Sequence, residues 1–328
     1  MATERALGGG LARSGFPRPR LTPVATAYLV VAGLAIVGQI QSSSFLSFNH
    51  VAVLLGLTAV LGIASAGQTV VILSAGIDLS VGALISAADV LAVQWMHGDD
   101  AQLWVVLPIL AIGAAIGLLN GLGIALLRIS PLIMTLGMAS IVGGFVLVVT
   151  SGESGAQPAP ALEDAMTGKF LGLPGTLWAW IATAVVTVLL LRLTRFGREL
   201  LALGSNARAA RLAGVSPTWT TLGIYAFSGL MAALAGIVLA GFTGTGAFGI
   251  GEDYTLLSVA AVVIGGASIL GGRGGYVGTI AGAVILACLT DILTVADVEA
   301  AGRQIVQGVA ILIILVIYGR ERRLRTVS

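Results

Sequence analysis

Charge is what this chain has least of. Only 10% of its 328 residues are Asp, Glu, Lys or Arg, against about 25% in a soluble domain. Hydrophobic residues make up 57% and mean hydropathy is +1.02, a surface unsuited to water. A single cysteine, Cys288, excludes an intrachain disulfide. The two histidines, His50 and His97, lack metal-ligand spacing, and there is neither a Gly-x-Ser-x-Gly elbow nor a cysteine–histidine pair. No Gly-x-x-x-x-Gly-Lys-Ser/Thr pattern occurs, which excludes ATP binding through a P-loop. No catalytic, cofactor or metal residue is therefore assigned. A net charge of +2 offers nucleic acid no broad footprint. The basic tail from Gly319 to Arg325 suits a stop-transfer flank facing anionic lipid.

What is present is apolar length. Ten runs span, or nearly span, about 30 Å of hydrocarbon: 24–40, 51–73, 81–96, 103–127, 131–150, 177–194, 219–242, 256–271, 276–295 and 304–318. These predict an all-α polytopic membrane protein with about ten transmembrane helices. A cytoplasmic tail is expected over 1–23, a transmembrane domain over 24–318 and a basic cytoplasmic tail over 319–328. With the N-terminus inside, only Lys169 and Arg303 of the seventeen basic residues fall outside, so both termini are expected to be cytoplasmic. The first run has no cleavage site after it and is expected to serve as an uncleaved anchor. Trp95, Trp104, Trp178 and Trp180 lie at expected outer ends, as in an aromatic belt.

Between the second and third runs stands Gly76-Ile77-Asp78-Leu79-Ser80-Val81-Gly82. An acid at mid-bilayer costs about 2.5 to 3.5 kcal/mol on insertion scales. The charge count places this break at the cytoplasmic end instead. Asp78, Gly82, Ser86 and Asp89 share one helical face, and Ser80 lies within the same break. Two readings follow. Either the stripe faces a pathway, gate or symmetric partner, or Asp78 caps the third helix while Asp89 bonds a neighbouring span. Asp291, near an outer end, suits anchoring. The mid-span amides Gln68 and Asn120 suit helix linking or contact with a polar solute.

Three loops stand out. The outer stretch 151–176 contains Pro158, Pro160 and Pro174 and is expected to be irregular, as a cover or a plain connector. On the cytoplasmic side, Ser205 or Asn206 caps a short helix, Gly214 suits its C-terminal stop, and Pro217 prevents continuation. Arg208 and Arg211 share a face of this helix, which is too short to persist alone in water. Its partner is either the protein's own spans or a second protein. The segment Gly271-Gly272-Arg273-Gly274-Gly275 suits a tight inter-helix turn. A faint likeness of 81–87 to 277–283 is compatible with an internal repeat.

Several blocks together resemble the ribose-type permease subunits of bacterial ATP-binding-cassette importers. They are Gly67 to Leu73 followed by Gly76 to Gly82; Pro131 to Gly137; Gly197-Arg198-Glu199 with Ala202 to Asn206 and Ala209 to Gly214; and Ala260 to Gly266 running on to Gly271–Gly274. The likeness covers roughly residues 50 to 320, with mild departures at Ser74-Ala75 and Ser205. It implies a permease in the bacterial cytoplasmic membrane that is not itself an enzyme. A second permease copy or paralogue, a cytoplasmic ATP-binding-cassette ATPase and an extracytoplasmic solute-binding protein would be its partners. The cargo would be a sugar or similar small polar solute, moved by alternating access. It further implies that the segment bearing Gly197, Arg198, Glu199, Asn206, Arg208, Ala210, Arg211 and Gly214 docks on the ATPase. The rival reading is a carrier driven by an ion gradient through Asp78 and Asp89.

Overall fold

The computed structural model describes residues 22–150, 157–299, 301–309 and 312. In chain order the helices are α1 (Pro23–Gln41), α2 (Phe48–Leu73), α3 (Val81–Met96), a 3-10 turn (Asp100–Val105), α4 (Val106–Ala125) and α5 (Pro131–Thr150). Then come α6 (Pro160–Thr167), the two-residue strands β1 (Lys169–Phe170) and β2 (Leu173–Pro174), α7 (Gly175–Leu193), α8 (Arg195–Ser205) and α9 (Ala207–Leu212). The series closes with α10 (Pro217–Thr243), α11 (Glu252–Ile264) and α12 (Tyr276–Val295), and residues 301–309 are again helical. Among the described residues, seven helical segments are long and apolar enough to cross a membrane. The protein is an all-α polytopic membrane protein.

The centre is built by α2 and α10, each buried along most of its length. Around them pack α3, α4, α7, α11 and α12, with α1 outside against α12. Residue size decides how closely these helices approach. On α4, Gly113 and Gly117 meet the α10 backbone so closely that a side chain on Gly117 would run into the Tyr225 carbonyl. Without a hydrophobic drive between helices in lipid, such close packing of small residues holds spans together. A polar chain adds to it: Trp180 Nε1 donates to Tyr276 Oη at 2.9 Å, which donates to the Gly62 carbonyl at 2.6 Å, tying α7, α12 and α2. Trp180 is therefore buried in the core and is no part of an aromatic belt, whereas Trp104 and Trp95 are exposed.

Among the described residues, two of the expected spans form short helices. α3 has 16 residues and α11 has 13, which at 1.5 Å per residue is roughly 24 and 20 Å. α3 is buried along most of its length, with Trp95 near its C-terminal end exposed. The apolar run expected over 256–271 stops being helical at Ile264, because Gly265 caps it and Gly266 turns to φ +89°. The glycine turn that follows reaches positive φ at Gly271, Gly272 and Gly274, and Ser268 N donates to the Arg273 carbonyl at 2.9 Å.

The outer stretch expected to be irregular is ordered over residues 157–176, while 151–156 lie outside the described residues. Pro160 starts α6, whose Leu162 is buried and packs with Met166 against the end of α10. A hairpin, Lys169 paired with Pro174 and Phe170 with Leu173, leads directly into α7. Most of the run 304–318 and the two tails also fall outside the described residues.

Candidate functional site

The break after α2 is held from four sides. Ala75, in a left-handed conformation at φ +66°, ends the helix, and Gly76 N donates to the Val71 carbonyl at 3.1 Å. Asp78 is fully buried. Its Oδ1 accepts from Ser80 N at 2.9 Å and Ser80 Oγ at 2.6 Å, and its Oδ2 accepts from Ser228 Oγ on α10 at 2.7 Å. Asn120 Nδ2 on α4 donates to Ser80 Oγ at 3.0 Å, and Leu79 N donates to Thr135 Oγ1 on α5 at 3.0 Å. The carboxylate thus closes a local turn onto Ser80 instead of bonding the first-turn amides of α3. One of those amides, Gly82 N, goes to Thr255 Oγ1 on α11 at 3.0 Å. No basic side chain pairs with Asp78 among the described residues, so hydrogen bonds alone offset its burial.

The stripe along α3 is a seam with the chain's own α10–α11 connection. Ser86 Oγ accepts from Gly251 N at 2.9 Å and donates to the Gly82 carbonyl at 3.1 Å. Asp89 Oδ2 accepts from Ala247 N at 3.0 Å, so Asp89 bonds a connecting loop and not a neighbouring span. Asp78, Ser80, Gly82, Ser86 and Asp89 are all buried. Within the bundle, Gln68, the Asn120 carbonyl oxygen, Asp89 Oδ1 and Tyr225 Oη have no hydrogen-bond partner among the described residues. Asn120 links helices as expected; Gln68 does not.

At the same end lies the segment α8–α9. Thr194 Oγ1 accepts from Gly197 N at 3.2 Å to cap α8, Leu200 is fully buried, and Arg198 is exposed beside half-buried Glu199. Of the two residues expected to cap the short helix, Asn206 does so: its Oδ1 accepts from Arg208 N at 3.0 Å and Ala209 N at 3.1 Å. Gly214, at φ +84°, closes α9 as Val215 N reaches the Ala210 carbonyl at 3.0 Å, a Schellman pattern. Ala210 alone turns inward, leaving Arg208, Arg211 and Leu212 exposed. Trp219, in the first turn of α10, is 77% exposed beside them and carried no signal in the sequence beyond its aromatic ring.

This segment touches the break. Gly272 N donates to the Leu73 carbonyl at 2.8 Å, and Gly204 packs without a side chain between the Leu73 carbonyl and Gly272 N. Gly271 sits against Ala75 and the Gly204 carbonyl. Three stretches far apart in sequence thus meet backbone to backbone: the end of α2, the end of α8 and the glycine turn. The partners Ser228, Thr255, Thr135 and Gly251 were not singled out in the sequence. A serine within the apolar middle of a helix, as at Ser228, was the available signal.

Comparison with known proteins identifies the family. The family described as "Branched-chain amino acid transport system / permease component" matches residues 51–315. The ribose import permease protein RbsC of Escherichia coli K12 is 34% identical over 293 residues, covering 88% of this chain and 91% of its own. The Bacillus subtilis (strain 168) RbsC is 36% identical over 283 residues, covering 85% and 88%. The fructose import permease protein FrcC of Rhizobium meliloti is 37% identical over 278 residues, covering 81% and 76%. No solved structure matches. The chain belongs to this family of permease components and, like its sugar-importing relatives, is a membrane transport subunit of the ATP-binding-cassette kind and not an enzyme.

Proposed function

We propose that this chain lies in the bacterial cytoplasmic membrane with both termini inside, and imports a sugar or similar small polar solute by alternating access. A separate cytoplasmic ATPase drives the cycle and an external solute-binding protein delivers the cargo. The observation that carries this reading is the backbone junction of Leu73, Gly204 and Gly272. With no side chain between them, a displacement of α8–α9 by a bound ATPase moves the end of α2, and with it the Asp78 break, with little slack. Close-packed elements transmit shifts because they compress poorly. The exposed Arg208, Arg211, Leu212 and Trp219 then form the docking face. The α3 seam, with Gly82, Ser86 and Asp89, lies beside the moving break as a gate element.

A second permease copy fits α5. Ile133, Gly137, Ser140, Ile141 and Gly144 are exposed on one side of it, and the two glycines have nothing against them. A small-residue face of this kind allows close helix–helix approach in lipid.

The test uses the assembled complex in lipid. Replacing Arg211 and Gly214 is expected to abolish solute stimulation of the ATPase while the complex remains assembled. Undiminished stimulation and uptake would remove the segment from the mechanism. Transport by the purified chain alone, under an ion gradient without ATP, would instead support a carrier working through Asp78 and Asp89.

A further inference from the structure

We propose that the hairpin β1–β2 is an interfacial membrane anchor, with Phe170 and Leu171 inserted at the headgroup–acyl boundary of the bilayer and Lys169 directed to lipid phosphate. Its turn residues are Leu171 at φ +53° and Gly172 at φ +79°. Two positive φ values in a two-residue hairpin loop are the pattern that favours Asn-Gly or Gly-Gly. A leucine there is strained, and this one is 74% exposed, next to Phe170 at 67%. Neither residue contributes to a core. Conformational strain spent on an exposed apolar tip calls for a ligand that takes apolar side chains.

The position of the tip identifies that ligand. On α7, Ile181, Val185, Val186, Leu189 and Leu193 are exposed, while Leu177, Trp180, Thr183, Thr187 and Leu191 are buried on the opposite side. The exposed side is a continuous apolar stripe on a membrane-spanning helix, so it faces acyl chains. Trp178 continues that stripe upward by one turn, since 178, 181, 185 and 189 share a face. Its Nε1 donates to the Phe170 carbonyl at 3.0 Å, and the Phe170 ring meets it edge-on with centroids 5.8 Å apart. The hairpin therefore stands directly above the lipid-facing stripe, at the depth where Trp and Lys side chains settle. Phe48 of α2, also exposed, lies against Gly172 and extends the apolar tip toward the neighbouring span. Lys169 is exposed and has no acidic partner among the described residues, leaving its ammonium available to phosphate. None of this depends on which solute is carried or how the cycle is driven.

The test places a thiol at the tip. In a Cys288→Ser background, Leu171→Cys is labelled with a fluorophore, and the full chain is reconstituted into vesicles of phosphatidylethanolamine and phosphatidylglycerol. Lipids bearing a nitroxide high on the acyl chain are expected to quench this label several-fold more than aqueous iodide does. The same label at Asp164→Cys on α6 is expected to show the reverse preference. Strong iodide quenching at position 171 would overturn the proposal. So would protection that appears only when the external solute-binding protein is added, since the tip would then be a protein dock. A second variant guards against misfolding: Leu171→Asn creates a relaxed Asn-Gly turn, so the hairpin persists without its apolar tip. The Trp178 emission, isolated from that of the four other tryptophans as the difference from matched Trp178→Phe proteins, is then expected to shift red as water reaches the interface; an unchanged difference spectrum would overturn insertion.

Discussion

Ser228 on α10 donates a 2.7 Å hydrogen bond to Asp78 Oδ2 across 150 positions of the chain. With Ser80 holding the other carboxylate oxygen, this contact fixes the break between α2 and α3 to the central helix. Leaving a buried hydrogen-bonding group without its partner costs about 1 to 3 kcal/mol.

The pair is therefore expected to behave as a unit. Asp78→Ala strands the Ser80 and Ser228 hydroxyls, and Ser228→Ala strands one carboxylate oxygen. Each is expected to destabilise the chain by about 1 to 3 kcal/mol. The double variant should lose less than the two losses combined, by about 1 kcal/mol or more. Thermal unfolding of all four proteins in one detergent checks it, and strict additivity would show that the two groups do not interact.

Two glycines of the α8–α9 segment are expected to respond differently to the same change. Gly214→Ala meets no neighbour but must keep φ +84°, at a cost of about 1 to 2 kcal/mol. Gly204→Ala drives a methyl into the Leu73 carbonyl and against Gly272 N. It should destabilise well beyond the first, because backbone on both sides cannot yield. Yield of folded protein after size-exclusion chromatography, with the melting temperature, separates them.

Leu212→Ala and Trp219→Ala remove large side chains that are 88% and 77% exposed among the described residues. Stability is expected to stay within about 0.5 kcal/mol of the parent. If this face receives the ATPase, solute-stimulated hydrolysis should nonetheless fall several-fold in the assembled complex. Equal loss of stability and activity would mean that the side chains serve the fold.

At the opposite end, His50 Nε2 and Asp291 Oδ2 stand 2.9 Å apart and join α2 to α12. Both side chains are partly exposed, so either alanine variant is expected to cost under about 1 kcal/mol. Melting curves of each variant beside the parent check this.

Much of the architecture was legible because hydropathy and capping act locally. The run 81–96 became α3 with both ends as expected, and 131–150 became α5. Asn206 and Gly214 bound α9 through bonds spanning only a few residues. The failures were of another kind. Trp180 was expected in a belt and lies in the core, because Gly62 on α2 leaves room for its indole. Ser86 and Asp89 gave a clear stripe, yet their partners Gly251 and Ala247 sit in a loop more than 150 residues away. The hairpin after α6 was hidden among prolines and glycines that also suit an irregular connector.

Composition and periodicity by themselves determined that this chain lives in a membrane, where most of its long apolar helices run, and which side each basic residue is expected to take. These properties follow from each residue's own transfer free energy. Only the tertiary structure decided what Asp78 bonds. In the linear chain an acid between two spans suits a cap or a gate first, with an ion site as the rival reading. Once α10 brings Ser228 to one oxygen and α4 brings Asn120 to Ser80, the carboxylate becomes the pin of a four-helix junction. The close packing of glycine-faced helices sets those partners, and no local pattern encodes it.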